Sequence, residues 1–211
     1  MKRSLERHRW HVVALLALVV GFATYGLATG SSVAIAYPVM VVLGLVLVAA
    51  LEPPDGFSGL VLVGLTLWAV GHLAGGIVGL SGMEGGHDRV LYNALLPLHV
   101  HYDNVVHFCG FGSAGLLWWE ATRRWLRVEG LHPVGVLVAV WFVGQGVGAL
   151  NEVIEFAATH LLPDTNVGGY QNTGRDLVAN LSGSAVAGLV AARRHARARA
   201  GDPLEAPVPA A

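Results

Sequence analysis

Asp103-Asn104-Val105-Val106-His107-Phe108-Cys109-Gly110-Phe111-Gly112-Ser113-Ala114-Gly115-Leu116-Leu117-Trp118-Trp119 is apolar enough to enter a bilayer, yet it opens with an acid and an imidazole one helical turn apart. A charged side chain at the centre of a spanning helix is disfavoured by roughly 2.5 to 3.5 kcal/mol on insertion scales, so such groups face one another, water or a ligand. Glu152 with Glu155, and Asp176 with Asn180, repeat the pattern in or beside two later apolar runs. What these polar pairs hold is the functional question of the chain.

The rest of the chain supports a membrane reading. Hydrophobic residues make up 54% of it and charged residues 13%, with a mean hydropathy of +0.57; soluble domains carry about 25% charged residues. Hydropathy selects six runs near the ~20 residues that cross the hydrocarbon core: His11 to Thr29, Val33 to Leu51, Gly59 to Leu80, Asn104 to Trp119, Pro133 to Ala158 and Leu177 to Ala192. The expected fold is therefore all-α, a polytopic integral membrane bundle of six transmembrane helices. The first run follows a basic start but is longer than a signal-peptide core and is followed at once by a second span, so it is read as a retained helix.

The Lys and Arg distribution sets the expected orientation. Of 13 such residues, all but Arg89 and Arg175 fall before the first run, between the fourth and fifth, or after the sixth. The excess of Lys and Arg on the cytoplasmic side places both termini there. The chain divides into a basic N-terminus (residues 1–10), a six-helix membrane domain (11–193) and a cytoplasmic tail (194–211) whose Pro and Ala content from Gly201 reads as disorder. A net charge of −1 says little about partners; the terminal basic clusters suit anionic lipid headgroups, so membrane lipid is the expected partner and nucleic-acid binding is not expected. The single cysteine, Cys109, excludes an intrachain disulfide and reads as a core residue.

Two outer connections are long. The first contains an apolar island, Val90 to Leu98, read as a short interfacial helix; the second, Pro163 to Arg175, is rich in Gly, Asn and Thr and reads as a loop over a site. With this orientation every polar pair lies near the outer face. Asp103 and His107 share one side of the fourth helix, with Tyr102 adjoining; Gln145, Gly148, Glu152 and Glu155 follow the same spacing on the fifth, and Asp176, Asn180, Gly183 and Ser184 on the sixth. His72, Glu84, His87, Asp88, His99, His101, His160 and Asp164 belong to that level too; taken singly, His72 reads as a hydrogen-bonded core residue and His87, His99 and His101 as loop residues.

Asp103, His107, Glu152, Glu155 and Asp176 are the candidate reactive set, and Arg175, Asn180, Gln145 and Tyr102 the candidate ligand-binding set. Three chemistries fit. Carboxylates with imidazole are ordinary ligands of a divalent cation, although no diagnostic ligand spacing is present. Crowded carboxylates in a dry site can share protons and act as general acid and base. Acids at depth can also carry protons or cations in a transporter. A purely structural network pinning the last three helices together is the bland alternative.

Asp103-Asn-Val-Val-His107-Phe108, Asn151-Glu152-Val-Ile-Glu155-Phe156 and Arg175-Asp176-Leu-Val-Ala-Asn180-Leu-Ser-Gly183 together resemble the VanZ-like superfamily, and the six-helix layout is most similar to its YjdF-like members, inner-membrane proteins of unknown function. The likeness spans about residues 99–190. It implies the bacterial inner membrane and, through VanZ, a link to glycopeptide resistance; it supplies no activity. The stretch Gly169-Tyr170-Gln171-Asn172-Thr173 departs from the YjdF-like pattern by carrying amides where an acid is usual, which counts against a metal site in that loop. The leading expectation is an outer-leaflet pocket that binds or modifies a lipid or cell-envelope precursor headgroup, with Glu152 or His107 as base in an enzymatic version and Arg175 on an anionic group such as phosphate. A proton-coupled carrier and a non-catalytic scaffold are the alternatives.

Overall fold

Apolar runs punctuated by Gly, Pro and polar turns give six long helices among the described residues: α1 (Arg9–Thr29), α2 (Ala36–Leu51), α3 (Gly59–Ile77), α4 (Tyr102–Thr122), α5 (Pro133–Leu161) and α6 (Tyr170–Arg199). The computed structural model describes residues 7–80, 90–123, 125–126, 130–161 and 167–201. Lys2, Arg3, Glu84, His87, Asp88, Arg89, Arg124, Arg127, Asp164 and the tail from residue 202 lie outside the described residues. Among the described residues the fold is all-helical apart from one small hairpin and an isolated bridge between Gly79 and Val90.

Local chemistry sets the boundaries. α1 ends where Gly30 turns left-handed (φ 74°) and its N–H caps the carbonyls of Gly26 and Leu27. Glu52-Pro53-Pro54 stops α2, since proline carries no N–H to continue the ladder. Ser58 caps α3 by accepting from the Val61 N–H, and α5 begins at Pro133, whose fixed φ suits a first helical turn.

Three helices, α1, α3 and α5, are long and apolar enough to cross a membrane, and α2 is apolar but shorter at 16 residues. Large apolar side chains stand exposed along them, among them Val20, Leu27, Leu43, Leu47, Leu67, Phe142 and Leu150. A water-facing surface does not carry such a belt; a lipid-facing one does.

The tightest packing joins α6 to α5 and α4. Glycine makes it possible: a Cβ on Gly112 of α4 would lie 2.9 Å from the Gly183 carbonyl oxygen of α6, and one on Gly148 of α5 would lie 2.6 Å from Asn180 Nδ2. In mid-bundle Leu116, Val140, Ala187 and Ala191 form a dry core, while α1 to α3 meet through Leu15, Val41, Leu73 and Ile77.

Two connections differ from expectation. The island Val90 to Leu98 is not a helix: a 3-10 turn (Leu91–Asn93) leads into β1 (Leu95–Leu96), which pairs antiparallel with β2 (Val100–His101). Leu98 (φ 68°) and His99 (φ 57°) both take the left-handed conformation that a tight hairpin turn requires, so Pro97 closes a hairpin instead of ending a helix. α6 in turn starts at Tyr170, because Tyr170 to Asp176 continue its amphipathic face; Asn172 and Arg175 thus sit on a helix, not in a loop. Its other end runs to Arg199, so residues 194–199, expected as part of a tail, are helical.

Candidate functional site

Asp103 and His107 on α4, Glu152 and Glu155 on α5, and Asp176 and Asn180 on α6 meet at one level of the bundle. Asp176 and Asn180 are fully buried, His107 is 6% exposed and Glu152 8%. The imidazole is the hub. Its Nδ1 lies 3.1 Å from Asn180 Oδ1 and 3.6 Å from Glu152 Oε1, and its Nε2 lies 3.5 Å from Asp103 Oδ1.

Amides tie the carboxylates together. Asn104 Nδ2 donates to Asp176 Oδ1 at 2.8 Å, and Asn172 Nδ2 donates to Asp176 Oδ2 at 2.6 Å and to Asp103 Oδ2 at 3.3 Å. Asn151 Nδ2 donates to Glu155 Oε1 at 2.7 Å. Both Glu152 oxygens and Asn180 Nδ2 are buried without a hydrogen-bond partner among the described residues. Two overlapping sets, Asp103–His107–Asp176 and His107–Glu152–Glu155, bring their donor atoms within 4.8 Å of one another.

Asp103, His107 and Glu155 line a cavity of about 150 Å³ that α2 and α3 close from the other side with Tyr37 and His72. The His72 ring stacks between Tyr37 (4.5 Å) and Trp68 (5.4 Å), and the Tyr92 hydroxyl hydrogen-bonds its Nδ1. An aromatic wall thus faces an acidic one.

The candidate ligand-binding residues divide. Asn180 is in the cluster. Gln145 sits two turns deeper on α5, its Oε1 buried and unbonded among the described residues. Tyr102 points to α3, where its hydroxyl donates to the Gly71 carbonyl at 3.2 Å. Arg175 faces away from the acids; its Nη1 donates to His101 Nε2 at 3.2 Å, and among the described residues it meets no carboxylate. It borders a separate cleft of about 650 Å³ between α4 and α6, walled by Val105, Phe108 and Val178. Asn104 lines that cleft as well and so connects it to Asp176. His99 and His101 lie in the hairpin, outside the cluster, and His160 bonds its own helix at the Phe156 carbonyl.

The opposite end of the bundle carries its own polar contacts. Buried Glu120 accepts from the Ser58 N–H (2.7 Å), the Ser58 hydroxyl (2.6 Å) and Arg194 Nη1 (3.2 Å). Arg7 pairs with Glu52 at 3.2 Å and Arg123 with Asp55 at 3.7 Å. Among the described residues every arginine except Arg175 stands at this end.

Sequence reasoning missed Asn104, Asn151, Asn172, Tyr37 and Glu120. The signal for two of them is in the sequence, since Asn151–Glu155 and Asn172–Asp176 are spaced i, i+4, but Asn172 falls in a Gly- and Asn-rich stretch that reads as a loop. No curated protein and no solved structure matches the chain. A match to a family described as a predicted membrane protein covers residues 10–197, nearly the whole helical bundle, and the chain belongs to that family, DUF2238.

Proposed function

We propose that the protein is a multi-pass protein of the bacterial inner membrane, with six spans and both termini cytoplasmic, whose outer-level site binds an anionic lipid or envelope-precursor headgroup. The motif resemblance to VanZ-like and YjdF-like proteins supports the compartment, and the segregation of arginines supports the orientation. C-terminal fusions test it: a fluorescent-protein fusion should fluoresce and an alkaline phosphatase fusion should stay inactive, the reverse pair contradicting the topology.

One observation carries the headgroup reading. Arg175 is an arginine without a carboxylate partner among the described residues, at the rim of a cleft with lipid-facing apolar walls, and Asn104 joins that cleft to the acid cluster. A guanidinium presents paired donors suited to a phosphate, while Val105, Phe108 and Val178 offer a path for an acyl chain. Losing a hydrogen bond to a charged group costs about 1.5–3 kcal/mol, so Arg175→Gln should weaken retention of anionic lipid roughly tenfold or more by native mass spectrometry, with zwitterionic lipid unaffected. Equal retention of anionic lipid by the variant would overturn the reading.

The carrier alternative has less support. Leu116, Val140 and Ala187 pack between the acid cluster and Glu120, with Gln145 on α5 and the buried hydroxyls of Ser113 and Ser184 as separate polar groups among them.

A further inference from the structure

We propose that His107, Glu152 and Glu155 bind one divalent transition-metal cation that accepts both oxygen and imidazole ligands. The inference rests on reading the cluster as a ligand site, but it does not require that a headgroup be bound.

Glu152 is the observation that demands a partner. It is 8% exposed, both of its carboxylate oxygens are buried, and neither has a hydrogen-bond donor among the described residues. A buried carboxylate is stable only when paired, protonated or coordinated. Its Oε1 lies 3.6 Å from His107 Nδ1, and His107, Glu152 and Glu155 each bring one ligand atom within 4.8 Å of the others, close enough to converge on a single ion. His107 and Glu155 also line the cavity of about 150 Å³, which leaves room for water or a ligand atom beside the ion.

The surroundings have the form of outer-shell support. Asp103 Oδ1 lies 3.5 Å from Nε2, on the far side of the ring from Glu152. With the proton on Nε2, directed at Asp103, Nδ1 is left free to coordinate, the carboxylate–histidine–metal arrangement that fixes the tautomer and raises ligand basicity. Asn151 holds Glu155 through its Oε1, and Asn172 holds Asp103 through its Oδ2. Asn180 Oδ1, 3.1 Å from Nδ1, is a further oxygen at the same place. Two carboxylates with one imidazole suit Zn²⁺ or Mn²⁺ better than an all-oxygen cage ion.

The test uses full-length protein purified in detergent without a histidine tag, stripped with chelator and titrated with Zn²⁺ or Mn²⁺, with metal content read by plasma mass spectrometry. The wild type should retain one equivalent of one of these ions and gain thermal stability with it. Glu152→Gln should lose the bound ion, and Glu155→Gln, at a half-buried position, should do so too if the first variant folds poorly. Asp103→Asn should keep the stoichiometry while weakening affinity roughly 10- to 100-fold, the range for outer-shell changes. A wild type that retains neither ion, or a folded Glu152→Gln or Glu155→Gln that binds like the wild type, overturns the proposal. Metal without anionic-lipid retention would sink the headgroup reading and leave this site standing; lipid retention without metal would do the reverse.

Discussion

Gly183→Leu is expected to remove most of the folded protein from detergent extracts. α4 and α6 touch backbone to backbone at this point, where a Cβ on Gly183 would fall on the carbonyl group of Phe108. A flexible side chain can move aside; a helix backbone cannot do so without separating the two helices that carry Asp103, His107, Asp176 and Asn180. Overpacking a rigid contact costs typically 1–3 kcal/mol and more where nothing relaxes, so about 3 kcal/mol or above is expected here. Gly146→Ala is the matched control, because nothing lies within 4 Å of a Cβ there and it faces outward on α5. That change should leave stability equal or raise it by about 0.5–1 kcal/mol through helix propensity. Fluorescence-detected size exclusion after a heat challenge would separate the two, and equal survival of both would contradict the close helix approach.

Glu120→Ala should be the most damaging change at the other end of the bundle. It removes the carboxylate that joins the Ser58 N–H, the Ser58 hydroxyl and Arg194, and so loosens the start of α3 from the ends of α4 and α6. Removing one member of a buried ion pair costs 3–5 kcal/mol; because the Arg194 side chain is 32% exposed, the low end, about 3 kcal/mol, is expected. For a chain of this size that corresponds to a fall in melting temperature of roughly 6–12 °C. Glu120→Gln, which retains an acceptor for Ser58, should cost less. Lipid retention at the proposed headgroup site should survive both changes at temperatures where the protein stays folded, since Leu116, Val140 and Ala187 lie between the two ends.

The helices were legible because length and apolarity are local properties. His107 and its acidic neighbours were legible because i, i+4 spacing on α4 and α6 and i, i+3 spacing on α5 aim them inward together. Pairing was harder. Arg175 is the cation nearest in sequence to Asp176, yet consecutive residues on a helix point about 100° apart, and it faces the cleft while Asp176 is fully buried. The donors to Asp176 are instead Asn104 and Asn172, residues whose amides read from sequence as loop or helix-start features. Glu120 was invisible for a different reason: its partners, Ser58 and Arg194, are 62 and 74 residues away along the chain, and only the folded bundle brings them together. The hairpin of Leu95–Leu96 with Val100–His101 depends on left-handed Leu98 and His99, a conformation those residue types do not announce.

An experimental density map of the protein in a lipid nanodisc, resolved to side chains around His107, tests the central claim most directly. The account predicts that the donor atoms of Asp103, Asp176, Glu152 and Glu155 surround the ring within the 4.8 Å groupings seen here, with non-protein density against the Glu152 carboxylate. Carboxylates turned outward to the lipid, or a Glu152 paired with another side chain and no density beside it, would contradict it.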